Sequence, residues 1–463
     1  MSTRFSTISP IDGSTYVERP YASADDINST LEAAETAQQA WKKAALTERK
    51  ALCTKAIDAF VAKKDDIAEE ICWQMGRPIR SAAGEVAGME ERARTMINLA
   101  EQGLATIKLD AKPGFDRWIQ REPVGVVFVI APWNYPYLTA INAVLPAILA
   151  GNSVILKHSA QTPLCAERLY EAFRAGGLPD GVFQYLHLTH DDTEAVIKDE
   201  RINYVAFTGS VPGGAMVEQA ASGRFIGIGL ELGGKDPAYI RADANLAHAV
   251  DTAMDGAFFN SGQSCCGIER IYVHEAVYEE FIKQAVDWVK QLKLGRSDDP
   301  ETTLGPLVRS SAADFVREQV REAIEQGAVA HISAEAYALD KAGSPYLAPQ
   351  ILTEVNHTMR VMTEESFGPV IGIQKVSSDE EAIELMNDSE FGLTAAIFTS
   401  DIDKSVELGQ QLDTGTFFIN RCDYLDPDLA WTGVKNSGHG CTLSVLGYES
   451  VTRPKSFHIK TEL

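Results

Sequence analysis

A cysteine thiol and a carboxylate, each set in flexible backbone, carry the chemistry this sequence can be expected to perform. In residues 258–266, Phe-Phe-Asn-Ser-Gly-Gln-Ser-Cys-Cys, the thiols of Cys265 and Cys266 stand on a polar turn containing Gly262, directly after an apolar run. Glu231 lies 34 residues upstream of Cys265, at the end of an apolar strand-like run, followed by Leu232 and two glycines. A soft nucleophile, a carboxylate able to handle a proton and mobile backbone around both point to covalent catalysis at a carbonyl. Each residue alone has a plainer reading. A cysteine among apolar neighbours is usually an inert small hydrophobe, and a single glutamate is usually solvated or paired. Asn134, between Trp133 and Tyr135 in a proline-bounded turn, could donate its amide to an oxyanion or could satisfy backbone in that turn.

The elements that must position these groups show in the hydropathy pattern. From Val124 the chain alternates strand-like runs (124–131, 152–157, 182–186, 202–207 and 225–232) with helix-like runs (137–150, 163–176, 191–199 and 213–222). That alternation predicts a parallel sheet covered on both faces, with ligands beyond the carboxyl ends of the strands. Asn134, Lys157 and Thr208-Gly209-Ser210 all fall at those ends. Lys157 alone reads as a snorkelling surface lysine. Ser210 reads as an N-cap or, with the backbone N–H groups of a helix start, as a pyrophosphate site. No GxGxxG follows any of these strands. Helical periodicity fills residues 23 to about 104, opened by a Ser23/Asp26 capping box. Residues 1–22 read as turns, and 114–122 and 456–461 read as two strands outside the main pattern, a separate small sheet.

At 463 residues the chain exceeds one ordinary core. A net charge of −23, from 65 acidic and 42 basic residues, disfavours nucleic acid and anionic membranes as partners. Seven scattered cysteines, with no secretory segment ahead of them and no CxxC or clustered His/Cys spacing, predict a reduced, cytoplasmic protein without a structural metal. The uncharged stretch from Pro123 to Leu156 is broken by prolines at 132, 136 and 146, so it reads as strand, turn and helix and no membrane span is expected.

Five motifs in order, Pro-Trp-Asn134, Phe-Thr-Gly-Ser210, Glu231-Leu-Gly-Gly, Gly-Gln-Ser-Cys265 and Glu365-Ser-Phe-Gly-Pro369, resemble those of the aldehyde dehydrogenases. The resemblance implies an α/β fold of that family: a Rossmann-type parallel-sheet cofactor domain (1–104 and 124–233), an α/β catalytic domain (234–440) and a small oligomerisation sheet (105–123 and 447–463). It selects Cys265 over Cys266 as nucleophile, Glu231 as hydrolytic base and Asn134 as oxyanion donor. It assigns cofactor binding to Ile130, Trp133, Lys157, Ala160, Gly209, Ser210, Leu232, Glu365 and Phe367. NAD-preferring members often carry glutamate at the position of Ala160, so NADP is expected to be tolerated alongside NAD. The implied reaction is NAD(P)-dependent oxidation of an aldehyde through a thiohemiacetal and a thioester, in a homodimer or homotetramer.

By the same alignment Glu91, Tyr135, Leu425 and Trp431 line the aldehyde tunnel, with Asp423, Asp426 and Asp428 near its mouth. Phe259 stands where members acting on succinic semialdehyde often have arginine. The expected substrate is therefore an aliphatic, aromatic or amino aldehyde. The alternatives are a carboxylate-bearing semialdehyde, for which Arg92 and Arg421 could compensate, or a non-catalytic relative. Three departures from the family pattern stand out: the loop 186–190 lacks glycines, Trp431-Thr432-Gly433 replaces Phe-Gly-Gly, and Cys441-Thr442 replaces Arg-Glu.

Overall fold

The computed structural model describes residues 3–462. Its N-terminal sheet has six strands in the order Gly438–His439, Gly227–Glu231, Ile202–Thr208, Val126–Ala131, Ser153–His158 and Phe183–Tyr185. All pairs are parallel except the first. The strands are the expected ones because a strand buried on both faces must be apolar at every position. In Val126–Ala131, Val127, Val129 and Ala131 join one core cluster, while Val126, Phe128 and Ile130 join the cluster on the other face. The helix Pro136–Ala150 starts on proline, ends at left-handed Gly151 and is buried along nearly its whole length. It accounts for much of the uncharged stretch. Among the described residues no helix is long and apolar enough to cross a membrane.

The Ser23 capping box is present, and four helices, the last being Ile79–Gly103, occupy the predicted helical stretch. The reading of residues 1–22 as turns is corrected. Arg4–Ile8 and Thr15–Pro20 form an antiparallel hairpin around the Asp12-Gly13 turn. The turn residues were visible, but the flanking strands bury only Thr7 and Val17 and so leave almost no hydrophobic alternation.

A second sheet has seven strands in the order Val329–Ala330, Gln350–Thr353, Val370–Val376, Ile268–His274, Asp236–Ile240, Thr394–Phe398 and Thr416–Ile419. The amphipathic helix expected near residue 280 is Tyr278–Val289, which buries Phe281, Ile282, Ala285 and Val289. The two outlying strands pair with each other, Phe115–Pro123 against Thr452–Lys460, in a three-stranded antiparallel sheet completed by Ile107–Lys108. The strand Gly438–His439 carries the chain back to the edge of the first sheet, beside Glu231. That return brings the C-terminal stretch into the site.

Candidate active site

The helix Leu246–Phe258 stops abruptly, and Asn260, Ser261 and Gly262 then take left-handed conformations at φ 53°, 58° and 72°. Two of these three are not glycine, a conformation that costs roughly 1–3 kcal/mol each and persists only where surroundings impose it. The surroundings are a buried polar network. Ser261 donates to Gly305 O at 2.9 Å, Gln263 accepts from Val308 N at 2.8 Å, and Asn260 Nδ2 donates to Gln263 O and to Asn134 O. Arg77, 2% exposed, donates to Asn260 Oδ1 at 3.1 Å and Asn134 O at 2.5 Å, and pairs with Glu85. Glu85 in turn accepts from the N–H groups of Tyr137 and Leu138 at the start of the next helix. Arg77 and Glu85 escaped the sequence reading: each is an unremarkable charged residue until the fold buries it.

This turn places Cys265, half-buried, in the wall of a cavity of about 310 Å³ that Glu231 also lines. Glu231 accepts from Thr442 Oγ1 at 2.5 Å and Thr208 Oγ1 at 3.0 Å. Burial pushes its carboxyl up, against the opposing pull of the two hydroxyls and Arg92. All four expected tunnel residues, Glu91, Tyr135, Leu425 and Trp431, line the same cavity. Asn134 does not reach its lining. It is buried behind the nucleophile turn, with Nδ2 donating to Gln263 O at 3.2 Å.

The cavity also holds residues that have little or no part in the sequence analysis. Cys266 donates its thiol to Asp423 Oδ1 at 3.1 Å, and Ser264 donates to the same oxygen at 3.1 Å. Burial pushes Asp423 up to about 7. Asp255, on the helix before the turn, is also pushed up by burial and by Asp251. Of the three aspartates expected near the mouth, only Asp423 lines this cavity; Asp426 and Asp428 are exposed. Arg421 is exposed as well and lies over the Tyr424 ring. Arg92, 8% exposed, faces the cavity from Ile79–Gly103 and donates to Leu138 O at 2.9 Å and Asn142 Oδ1 at 3.2 Å. Among the described residues it has no carboxylate partner.

The expected cofactor residues gather at the carboxyl ends of the first sheet's strands and beside the second sheet. Lys157, near the end of Ser153–His158, is pushed down to about 8 by burial and has no ion pair among the described residues. Ala160 is exposed, its carbonyl accepting from Thr7 Oγ1. Ser210 caps the helix Val211–Ala221, accepting from Gly213 N, and Gly209 N donates to Glu231 O at 3.0 Å. Leu232 and Ile130 are buried in the core under these ends. Trp133 and Phe367 meet edge to face at 5.7 Å, and Glu365 accepts from Gly234 N at 3.0 Å. Burial, then Glu269, pushes Glu365 up to about 8. A dinucleotide fits this donor set: a buried ammonium without a counter-ion, a capped helix start for phosphate and a carboxyl awaiting hydroxyl donors. Thr208 joins the two halves, binding Glu231 while opening the Gly209-Ser210 turn.

Comparisons with known proteins identify the family. The model of the aldehyde dehydrogenase family matches residues 1–457. The succinate semialdehyde dehydrogenase Sad of Escherichia coli strain K12, whose name specifies NAD(P)+, is 35% identical over 450 residues, covering 96% of each chain. The structure of a succinic semialdehyde dehydrogenase from Streptococcus pyogenes with NADP+ superposes with a TM-score of 0.94 at 30% identity, over 98% of this chain and 100% of that one. PnpE in complex with nicotinamide adenine dinucleotide gives a TM-score of 0.95 at 30% identity, over 99% and 95%.

Proposed function

The chain belongs to the aldehyde dehydrogenase family and is an NAD(P)-dependent aldehyde dehydrogenase, and from that premise we propose that its substrate is a semialdehyde, an aldehyde carrying a carboxylate at its far end. The observation that carries this reading is Arg92. A buried guanidinium that no carboxylate contacts directly is costly; Glu85 and Glu231 act on it only at longer range, and it faces the cavity that Cys265 lines. A substrate carboxylate would supply that direct partner. The Asn142 amide beside it orients the fork. The naming of Sad and the Streptococcus pyogenes enzyme as succinate semialdehyde dehydrogenases supports the same choice. The expectation of an uncharged or amino aldehyde rests on the aspartates near the tunnel mouth and on Phe259 in the place of an arginine; of the two arginines that could compensate, Arg92 lines the cavity, and Arg421 is exposed.

In this reading Cys265 thiolate adds to the aldehyde carbon, forming a C–S bond. The developing oxyanion takes hydrogen bonds from Cys265 N–H and the Asn134 amide, which must turn from Gln263 O to do so. Loss of a hydride from the adduct carbon gives the Cys265 thioester, and a bound nicotinamide would supply the acceptor for that hydride. Glu231 then takes a proton from water, the hydroxide adds to the thioester carbon, and Cys265 thiolate departs as the acid is released. Its raised proton affinity moves it toward working pH, where a general base is most effective. Lys157 and Ser210 hold the dinucleotide, and Ala160 admits a 2′-phosphate that a glutamate there would repel. NADP is therefore accepted as well as NAD. The long exposed edge strand Thr452–Lys460 supports a homo-oligomer joined through the small sheet.

One observation favours an aminoaldehyde instead: Asp255 and Asp423 line the cavity too. Measuring kcat/KM for succinic semialdehyde, butanal, benzaldehyde and an aminoaldehyde of matched length, each with NAD and NADP, decides between them. The semialdehyde should lead its uncharged counterpart by at least about tenfold. A lead for the aminoaldehyde would overturn the assignment.

A further inference from the structure

The two altered C-terminal motifs meet in space. Trp431 and Thr442 form an antiparallel bridge, each N–H donating to the other's carbonyl at 2.9 Å. Thr432 Oγ1 donates to Gly440 O at 2.6 Å and Ser450 Oγ to Cys441 O at 2.9 Å, so the backbone leading into Thr442 is tied down. From this fixed backbone the Thr442 hydroxyl reaches Glu231 Oε1 at 2.5 Å, while Thr208 takes Oε2 at 3.0 Å. The two hydroxyls thus take different oxygens of the carboxyl. Thr208 and Glu231 line both the cavity that contains Cys265 and a void of about 20 Å³, room for about one water, whereas Thr442 lines the void and not the cavity.

We propose that Thr442 is a positioning residue for hydrolysis: held by Trp431, it draws the Glu231 carboxyl back from Cys265 and keeps it ionised until water enters. This rests on Glu231 being the hydrolytic base. The charged and titratable groups around that carboxyl are Arg92 from Ile79–Gly103, Tyr204 from Ile202–Thr208, Cys441 and His439 from the C-terminal stretch, and Cys265 across the cavity. Of these only Arg92 favours the ionised form, at longer range than the hydroxyls. Removing one hydroxyl therefore removes a large part of what opposes burial. Because the bridge links Trp431 in the cavity wall to Thr442, the two departures from the family pattern act as one device, and neither is a packing change alone.

The test follows acyl-Cys265 directly, by intact mass after a single turnover with aldehyde and NAD or NADP, from about pH 5 to 9. Thr442→Val should move the acid limb of acyl-enzyme decay upward by about one pH unit, the size expected for losing a hydrogen bond to a charged group. Thr442→Ser should restore the wild-type limb, and Thr442→Ala serves if valine does not fold. A slower decay with the limb unmoved in valine and alanine variants would overturn the inference. Glu231→Gln, run alongside, tests the premise separately. If it accumulates acyl-enzyme while the Thr442 variants leave the limb unmoved, only the role of Thr442 fails; if it turns over normally, the assignment of Glu231 fails.

Discussion

The Cys266 thiol donates to Asp423 Oδ1 at 3.1 Å, while Cys265, one residue earlier, faces the cavity it shares with Glu231. The hydrogen bond with Cys265, then burial and the Asp423 carboxylate, push the Cys266 thiol well up. A thiol held protonated is a poor nucleophile. Iodoacetamide at neutral pH should therefore label Cys265 and leave Cys266 unmodified, read by peptide mass mapping. Cys265→Ala should lose at least about a thousandfold in kcat, and Cys266→Ala should cost at least about a hundredfold less than that.

Asp423 itself carries a stability signature. Its carboxyl is raised by burial from an ordinary 3.8 to about 7, so the folded state binds the proton more tightly than the unfolded chain does. Stability from this group is intact below about 3.8, falls as pH climbs from there to about 7, and is fully lost above that. Asp423→Asn should flatten that fall, visible as a smaller change in the urea midpoint between acid and neutral pH. An unchanged slope would remove Asp423 as its source.

Arg92 sets a difference between substrates. Arg92→Leu should raise KM for a semialdehyde about a hundredfold, the cost of leaving a buried carboxylate without its charged donor. The loss in kcat/KM should be at least about tenfold larger for the semialdehyde than for the uncharged aldehyde of equal length. Equal losses for both would make Arg92 a packing residue.

Lys157 and Ala160 govern the dinucleotide. The Lys157 ammonium, lowered from 10.5 to about 8 by burial, is charged below that pH and neutral above it. NADP affinity should weaken as pH rises through about 8, and more steeply than NAD affinity, measured by titration calorimetry. Ala160→Glu should cost NADP at least about tenfold more than NAD, through repulsion of the 2′-phosphate.

The nucleophile turn tolerates no side chain at Gly262. Its φ is +72°, and an added Cβ would collide with the carbonyl oxygen of Gly368. Gly262→Ala should destabilise by about 2–4 kcal/mol, strain and overpacking together. It should also lower kcat about a hundredfold by displacing the turn that carries Cys265. Urea denaturation and steady-state kinetics check the two effects.

The sequence by itself determined what is local. Strands such as Val126–Ala131, buried on both faces, must be continuously apolar, and helices such as Pro136–Ala150 announce their ends with proline and glycine, so five strands of the first sheet were legible one by one, but not their order across it or the returning strand Gly438–His439. Cys265 and Glu231 stood out because each sits in its own short motif, with the resemblance choosing Cys265 over Cys266, and the structure brings both to one cavity. What the tertiary structure decided are the partners, and these lie far apart in the chain. Thr442 reaches Glu231 across 211 residues, Asp423 reaches Cys266 across 157, and Arg77 reaches Asn134 across 57. A hydroxyl, a carboxyl or a guanidinium carries no mark in the sequence of what it will face. Only the burial that strips its water obliges it to find a partner, and only the fold says which one is near.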